Sequence, residues 1–417
     1  MTDNWPTIAL RARYVFPVDG PPIDGGTVTI RGSKIVAVGA PVAGIAVRDL
    51  GDVAILPGLV NAHTHLEFSD LSAPVGRHGM PLPEWIGQVV AHRRAATTDA
   101  PAAISLGLRE SLACGTTTLG EIATGDAQQI ASCYADSPIS SVVFRESIAP
   151  RADRVPAAIA EAEQFLFSVP ASTNLQSALS PHAPYTVHPR LLEGMLDVAR
   201  RFEAPLAMHL AESREELELL ECGTGPFRAM LERLNAWDAT AEARYPRILN
   251  YLQRLSTAPR ALVIHGNYLS AVEIDFLAER ANRMAVVYCP RTHAFFGHDA
   301  YPLSDMLAAG LHMALGTDSR ASNPDLSLLE EMRFVAERHA SIAPAKILEL
   351  GTLGGARALG LSSQIGSLTG GKLANLAIVG PLAGKSRDPH ESLLAPGTSV
   401  LESWIQGRLA GDAAPPL

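Results

Sequence analysis

Short apolar runs alternate along the middle of the chain with stretches in which apolar residues recur every three or four positions. The runs predict buried strands and the longer spacing predicts helices. Helices are predicted, for example, at 189–202, from 214 to 235 across a Gly-Thr-Gly break, and at 326–339. Eight strand-like runs can be counted: 54–65, 116–121, 141–146, 175–182, 205–209, 261–265, 284–289 and 312–318. Alternating strand and helix units of this number predict an α/β fold with a parallel (β/α)8 TIM barrel.

The two ends of the chain have a different pattern. Residues 7–47 are rich in β-forming positions, with a hairpin-like turn at Arg31-Gly32-Ser33. Strands are predicted again at 376–379, after the turn Gly370-Gly371, and at 402–410. We therefore predict that both termini form one small composite β-sandwich domain, residues 1–56 and 366–417, beside a barrel of residues 57–365.

Composition narrows the classes of protein. Thirty-four Lys and Arg residues against 43 Asp and Glu residues give a net charge of −9, which disfavours a nucleic-acid partner held by phosphate contacts. The chain is 47% hydrophobic and 18% charged, which excludes disorder. No targeting or membrane-spanning segment is recognisable, and the four cysteines are scattered singly. The expected protein is cytoplasmic, acts on a small molecule and binds no membrane, and a homo-oligomer is compatible with these features.

Most of the predicted strands end at a residue able to do chemistry. The C-terminal ends of barrel strands converge on one face, so residues far apart in the sequence are expected to meet there. These strand-end residues are His63, His65, Glu121, Arg145, His182, His209, Glu212, His265 and Asp318.

Four of these residues predict a metal site. His63 and His65 are two positions apart in an extended segment, so both imidazoles point to the same side. Alone, the pair also fits two polar side chains at a strand end. With His209 and Asp318 added, the set matches the preferences of one divalent metal, most simply Zn²⁺, with Fe²⁺ or Mn²⁺ as alternatives.

Three further residues are candidates for catalysis or substrate binding. Glu212 follows His209 by three positions and is placed to carry protons, although a carboxylate in the first turn of a helix would look the same. His265 ends the apolar run ALVIH and is expected to orient the attacking water. His182, between two prolines, could bond a substrate heteroatom. For both histidines the alternative is a hydrogen-bonded core residue.

Five motifs together resemble a known family. PGLVNAHTH, SPHAPYTV, HLAES, IHGNYL and LGTDS, in this order, resemble the amidohydrolase superfamily, in particular its cytosine deaminase-like and S-adenosylhomocysteine or methylthioadenosine deaminase-like branch. The resemblance runs from about residue 7 to about residue 410. It implies a distorted (β/α)8 barrel with a composite β-sandwich, and one metal held by His63, His65, His209 and Asp318.

The resemblance also implies a reaction. Hydroxide on the metal adds to the amine-bearing carbon, Glu212 protonates the ring nitrogen, His265 polarises the hydroxide, and ammonia leaves; Glu212, His265 and Asp318 are the expected catalytic residues. Members with two metals bridge them through a carbamylated lysine of the fourth strand. No lysine lies between Lys34 and Lys346, so that bridge is excluded and a mononuclear site is expected.

The substrate signals are weaker. In the nucleoside branch a Glu beside a Trp after the first strand binds ribose hydroxyls, and Pro83-Glu84-Trp85 is similar, although the start of an amphipathic helix explains it equally well. Arg145 resembles an arginine that reaches the distal part of the substrate, with an ion pair to Glu146 or Glu121 as the alternative. His293 stands where relatives commonly have Asn, so His293 and Arg291 could contact substrate. Residues 220–259 could cover the substrate or form an oligomer contact.

The expected activity is hydrolytic deamination of an adenine-type nucleoside: aminodeoxyfutalosine, S-adenosylhomocysteine, methylthioadenosine or 5′-deoxyadenosine. The alternatives are a chlorohydrolase or aminohydrolase acting on a triazine-like ring, or a deaminase of free cytosine or guanine. A metal-free scaffold protein is a more distant alternative, because such relatives usually lack metal ligands and this chain has all four.

Overall fold

The computed structural model of the chain describes residues 7–95, 99–135, 137–169, 174–238, 245–382, 386 and 388–410. Its N-terminal part is a series of short strands, as predicted. They are β1 (Thr7–Arg11), β2 (Tyr14–Val15), β3 (Ile23–Asp24), β4 (Thr27–Arg31), β5 (Lys34–Gly39), β6 (Val47–Asp49) and β7 (Ala54–Pro57). The predicted hairpin is the antiparallel pair β4–β5.

Eight parallel strands follow and form the predicted barrel sheet. They are β8 (Leu59–Thr64), β9 (Thr116–Ala123), β10 (Ser140–Ser147), β11 (Leu175–Pro181), β12 (Leu206–Leu210), β13 (Ala261–His265), β14 (Met284–Tyr288) and β15 (Met313–Leu315), each paired with the next along the chain. A parallel bridge between Thr64 and Asp318 joins the last unit to the first. Gly316 allows this approach, because a Cβ there would lie 2.9 Å from the backbone oxygen of His63.

The first apolar run was wrong as a single strand. Ala54–Pro57 belongs to a terminal sheet, whereas Leu59–Thr64 begins the barrel. Gly58 separates them, and a Cβ at this position would meet the Thr117 side chain at 2.2 Å. Both strands are fully buried, so the apolar pattern continues across the break.

The C-terminal strands are β16 (Leu376–Gly380), β17 (Ser399–Ile405) and β18 (Arg408–Leu409). The sheets run in the order β5-β4-β1-β6 and β18-β17-β16-β7-β2-β3, so the second contains strands from both ends of the chain. The composite terminal domain is therefore confirmed as an architecture. The single strand predicted at 402–410 was wrong, because Gln406 and Gly407 both have positive φ and turn the chain into a hairpin.

Helices alternate with the barrel strands and include those predicted at 189–202, 214–235 and 326–339. They are α1 (Leu82–Ala95), α2 (Ala100–Ala113), α3 (Ala127–Ala135), α4 (Val155–Ser168), α5 (Pro189–Arg201), α6 (Arg214–Cys222), α7 (Pro226–Arg233), α8 (Ile248–Leu255), α9 (Ala271–Ala278), α10 (Pro290–Phe296), α11 (Leu303–Ala308), α12 (Leu328–Arg338), α13 (Pro344–Glu349), α14 (Gly355–Ala358) and α15 (Pro389–Leu394), with single 3-10 turns at 66–68 and 152–154 and a π-helical turn at 350–354. In the described part of the chain, no helix has the length and apolarity needed to cross a membrane.

Alternate residues of the barrel strands enclose an apolar interior. One buried cluster joins inward-facing residues of all eight strands, including Val142 and Phe144 of β10, to residues of α14 and to Leu359. Gly355, the first residue of α14, lies against Val60 near the beginning of β8, and Gly354, the last residue of the π-helical turn, lies against Met313 at the beginning of β15. The N-terminal end of the barrel is therefore closed by apolar packing, which leaves the C-terminal end for a site.

Candidate active site at the C-terminal ends of the barrel strands

Three histidines and one aspartate meet at this end of the barrel. Nitrogen atoms of His63, His65 and His209 lie within 4.8 Å of one another, and His63 forms a second such group with His265 and Asp318. Asp318 Oδ1 lies 3.6 Å from Nε2 of both His63 and His65. Strands β8, β12 and the segment after β15 thus bring the four predicted ligands together.

Left-handed backbone at two strand ends helps to place the side chains. Ile264 faces the apolar interior, so simple alternation would point His265 outward. His265 instead has a φ of 68°, and its ring centroid lies 5.4 Å from that of His209. Asp318 has a φ of 57°. Such conformations cost on the order of 1–3 kcal/mol in residues other than glycine and concentrate at functional sites.

The chemistry of the donor set fits a divalent metal. Both ring nitrogens of His63 are buried without a hydrogen-bond partner, which would be costly for a residue with no ligand. Burial lowers the pKa of His63 and His65 well below 6.5 and that of His209 to about 4, so all three rings are neutral, as metal ligands must be. Asp318 Oδ2 accepts a hydrogen bond from Ser322 Oγ at 3.1 Å, which leaves Oδ1 facing the histidines.

The second ring nitrogen of His209 is already engaged. Its Nδ1 lies 3.1 Å from the carbonyl oxygen of His182. This contact fixes Nδ1 as the protonated nitrogen and leaves Nε2 for a metal, the arrangement usual for a ligating histidine.

Glu212 lies beside the histidines, just beyond β12. Its residue is 6% exposed, and Oε1 lies 3.4 Å from His265 Nε2. Burial, followed by the charges of Asp318 and Glu216, raises the pKa of Glu212 well above 4.5. A buried carboxyl group that holds a proton near neutral pH can act as a general acid.

Glu216, which the sequence analysis did not single out, holds the backbone on which Glu212 stands. Its carboxylate accepts hydrogen bonds from the amides of Ala211 at 3.0 Å and Glu212 at 2.8 Å. Ala211 itself has a φ of 54°. Glu216 lies in the first turn of α6 and is fully buried, a combination that sequence pattern alone does not reveal.

Glu146 is a second site residue that the sequence analysis missed. It lies at the end of β10 on the same face as Val142 and Phe144, and it forms a close group with His182 and His209. His182 Nε2 lies 3.9 Å from Glu146 Oε1, and its Nδ1 lies 2.5 Å from Thr186 Oγ1. Alternation along β10 was the signal that could have identified Glu146, because an inward residue must follow Phe144 by two positions.

The adjacent arginine faces the other way. Arg145 lies on the side of β10 that packs against the helices, donates to the carbonyl of Glu146, and lies 3.8 Å from Glu161 of α4. The structure does not bring its guanidinium to the histidines. The alternative interpretation was an ion pair with Glu146 or Glu121. An ion pair is present, but its carboxylate is that of Glu161.

Arg291 is also held in an ion-pair network. Its guanidinium donates to Glu331 Oε1 at 2.6 Å and to Asp325 Oδ1 at 2.7 Å. The Arg291 side chain is 13% exposed. A contact with substrate, which the sequence suggested, would require these bonds to break. His293, on α10, lies 8% exposed among the rings of Tyr288, His298 and Tyr301.

The motif Pro83-Glu84-Trp85 forms the first turn of α1, as the alternative interpretation predicted. Glu84 is exposed there. The Trp85 indole donates to the carbonyl of Ala321 at 3.2 Å, and its ring packs edge-on against Phe296 at 5.3 Å. Trp85 therefore lies in the wall around the site, and Glu84 lies at its surface.

The segment 220–259 contains α7 and α8, while residues 239–244 lie outside the described part. The Phe227 ring of α7 stacks on Tyr185 at 4.0 Å, three residues after His182. The same apolar cluster includes Leu82 of α1 and Phe296 of α10. The first half of this segment thus packs over loops that surround the site.

Comparison with known proteins places this geometry in context. The sequence profile described as amidohydrolase family matches residues 54–410. A 5-methylthioadenosine/S-adenosylhomocysteine deaminase of Syntrophobacter fumaroxidans is 30% identical over 394 residues, covering 89% of this chain and 82% of the relative. An aminodeoxyfutalosine deaminase of Deinococcus radiodurans is 28% identical over 358 residues, covering 80% and 81%.

A solved structure extends the similarity to the fold. An adenosine deaminase from Xanthomonas campestris with bound zinc superposes with a TM-score of 0.78 and 27% identity, covering 96% of this chain and 92% of that one. The match spans both the barrel and the terminal strands, and it confirms the predicted architecture.

Proposed function

The chain belongs to the amidohydrolase family, and from this premise we propose that it is a mononuclear metal-dependent hydrolase that removes the amino group of an adenine-type nucleoside as ammonia. The observation that carries the proposal is the contact between Glu212 and His265 beside the three histidines and Asp318. This arrangement provides a metal site and a proton carrier within one buried group.

The metal is proposed to be bound by His63, His65, His209 and Asp318, with zinc as its identity. Zinc suits three imidazoles and one carboxylate, and the Xanthomonas campestris adenosine deaminase contains it. What the metal supplies when bound is a water molecule whose pKa falls to near neutrality.

The chain's own residues then carry the proton transfers. Glu212, protonated because burial raises its pKa, donates from its carboxyl group to a ring nitrogen of the base, which makes the amine-bearing carbon more electrophilic. Asp318 Oδ1 accepts one proton from the attacking water and passes it to the amino group, which leaves as ammonia, and Glu212 regains its proton from the new hydroxyl group as the carbonyl forms. His265 is neutral, since burial lowers its pKa well below 6.5, and its Nε2 orients the attacking water beside Glu212.

The proposed substrates are methylthioadenosine, S-adenosylhomocysteine, 5′-deoxyadenosine and aminodeoxyfutalosine. The names of the two sequence relatives support this class. His182 and Trp85 are proposed to contact the substrate, since His182 forms a close group with His209 and Trp85 lies in the wall around the site. His293, Glu84 and Arg145 are more distant members of the predicted set.

We place the reaction in the cytoplasm, acting on a small molecule with no nucleic acid or membrane involved, and we divide the chain at residues 57 and 365 between barrel and terminal domain. A homo-oligomer is compatible with this proposal.

A screen of purified protein tests the proposal. Ammonia release and the ultraviolet change from adenine to hypoxanthine would be measured with the four nucleosides, cytosine, guanine and an amino- or chlorotriazine. Turnover of the nucleosides above the free bases is the expected result. Turnover of a triazine or a free base alone would replace the nucleoside assignment with one of those alternatives, and a metal-free, inactive chain would indicate a scaffold protein.

A further inference from the structure

We propose that Glu146 and His182 form a pair of hydrogen-bond acceptors that binds the vicinal hydroxyl groups of the substrate's ribose. The assignment rests on the proposed nucleoside deaminase function and identifies which residues of this chain recognise the sugar. It also moves that role from Glu84, at the exposed start of α1, to the inner face of β10.

Glu146 has the position and the unpaired acceptor atom that binding of a ribose hydroxyl requires. Its side chain is 6% exposed, and Oε1 is buried without a hydrogen-bond partner. The residue points into the site because it continues the inward face of Val142 and Phe144. A buried carboxylate oxygen without a partner is unfavourable unless a ligand supplies a donor.

His182 presents a second acceptor to the same space. The hydroxyl group of Thr186 donates to the carbonyl of Ala183 at 3.2 Å, so with its only proton committed it accepts from His182 Nδ1 at 2.5 Å. His182 Nε2 is then unprotonated and accepts. It lies 3.9 Å from Glu146 Oε1, too far for a direct hydrogen bond, and its side chain is 18% exposed, so the pair is accessible.

A second metal ion does not explain this pair. Glu146, His182 and His209 lie close enough to hold a cation, but Nδ1 of His209 is engaged by the His182 carbonyl. Only Nε2 of His209 is then open to a metal, and His209 also forms a close group with His63 and His65. One imidazole nitrogen binds one metal, so a metal held with His63 and His65 leaves Glu146 and His182 for the substrate.

Glu146 and His182 are both acceptors, so the substrate must supply hydrogen-bond donors to them. The adenine base carries one donor, the amine that is removed at the metal; its other ring nitrogens are acceptors. The hydroxyls of the ribose are the donors common to all the proposed nucleosides. Two neighbouring hydroxyls can donate separately to two acceptors held apart, one to Glu146 and one to His182.

The assignment is tested by removing the Glu146 carboxylate and the ribose hydroxyls, each separately and both together. Deamination would be measured for wild-type enzyme, Glu146→Leu and Glu146→Gln, each with 5′-deoxyadenosine and with its analogues lacking the 2′-hydroxyl, the 3′-hydroxyl or both. Glu146→Leu is expected to lose roughly tenfold to a hundredfold in kcat/KM on the ribonucleoside, mainly through KM, and little on the analogue lacking both hydroxyls. Glu146→Gln keeps an acceptor oxygen and is expected to recover part of the loss.

Two further variants make the result specific. Glu121→Gln alters a buried strand-end carboxylate on the neighbouring strand, where Oε1 accepts from the Leu66 amide instead of facing the site, so it should not change the preference for ribonucleoside over the analogues. Glu84→Gln tests the competing ribose ligand. Equal losses of Glu146→Leu on all substrates, or a hydroxyl-dependent loss in Glu84→Gln alone, would overturn the assignment while leaving the deaminase function intact. Wild-type enzyme that turns over no nucleoside would overturn both.

Discussion

The two ends of the barrel are built from the same eight strands but from different chemistry. At the N-terminal end, inward residues such as Val142 and Phe144 pack with α14 in a dry apolar cluster. At the C-terminal end, His63 and Glu146 are equally buried, yet they keep polar atoms without partners. The apolar end is therefore expected to contribute more of the stability, and the end where histidine and carboxylate atoms are left for a ligand is expected to carry the function.

The backbone differs in the same way. Ala207, in the middle of β12, is a regular strand residue of the apolar interior, whereas Ala211, just after the same strand, has a left-handed backbone. Two carboxylate oxygens of Glu216 hold that turn. Substitutions in the two regions should therefore separate activity from stability.

The largest expected effect is on catalysis at the polar end. Glu212→Gln removes the proton that the ring nitrogen receives, so kcat should fall by roughly 10²- to 10⁴-fold. Metal content and thermal unfolding should stay close to those of wild-type enzyme, because the ligands are untouched. Glu215→Gln, the same substitution three residues later in the first turn of α6, is the matched control. Retention of full activity by Glu212→Gln would rule out this residue as the proton carrier.

At the apolar end, a substitution should lower stability more than activity. Phe144→Ala removes a ring that is 1% exposed, and the expected loss is about 3–5 kcal/mol in the free energy of unfolding. The variant that remains folded should keep a near-normal KM. Denaturant unfolding and steady-state kinetics measured on the same preparation check both parts, and a KM changed as strongly as the stability would contradict the separation.

Substitution of Glu216 should affect both stability and activity. Glu216→Gln leaves at least one of the two amides that it binds without a full partner, so the unfolding free energy should fall by about 1–3 kcal/mol, with a smaller loss of kcat through Glu212.

The same variant has a pH signature. Burial raises the pKa of Glu216 to about 7 from 4.5, so between these values the folded protein holds a proton that the unfolded chain has released. This contribution favours folding at low pH and is lost as pH rises towards 7. The stability gap between wild type and Glu216→Gln should therefore narrow with rising pH in urea unfolding. A gap that widens would contradict the raised pKa.

The smallest effect is expected from removing the side chain that makes the left-handed backbone at Ala211 unfavourable. Ala211→Gly removes the cost of a left-handed alanine, on the order of 1–2 kcal/mol, but adds flexibility to the unfolded chain, on the order of 0.4–1 kcal/mol. A net gain between about 0 and 1.6 kcal/mol is expected. Ala207→Gly, in the regular part of the same strand, should only destabilise. Equal losses in the two variants would show that the turn at residue 211 stores no strain.

Much of this arrangement follows from local pattern. The order of the eight strands, the grouping of His65, His209 and Asp318 around His63 and the position of Glu212 could be predicted because each depends on residues near a strand end. The inward face of β10 was missed although alternation from Phe144 carries the signal, since a shift of one position exchanges Arg145 for Glu146. The ion pairs of Arg291 depend on Asp325 and Glu331, which are distant in sequence, and the re-aimed ring of His265 depends on a backbone angle that no pattern encodes.

The proposed function requires that the buried histidines hold one catalytic metal. Metal content per chain would be determined by elemental analysis of purified wild-type enzyme and of His209→Ala, alongside ammonia release from 5′-deoxyadenosine. One divalent metal per active wild-type chain is expected, with loss of both the metal and the activity in the variant. Activity that persists in metal-free protein, or two metals per active chain, would contradict it.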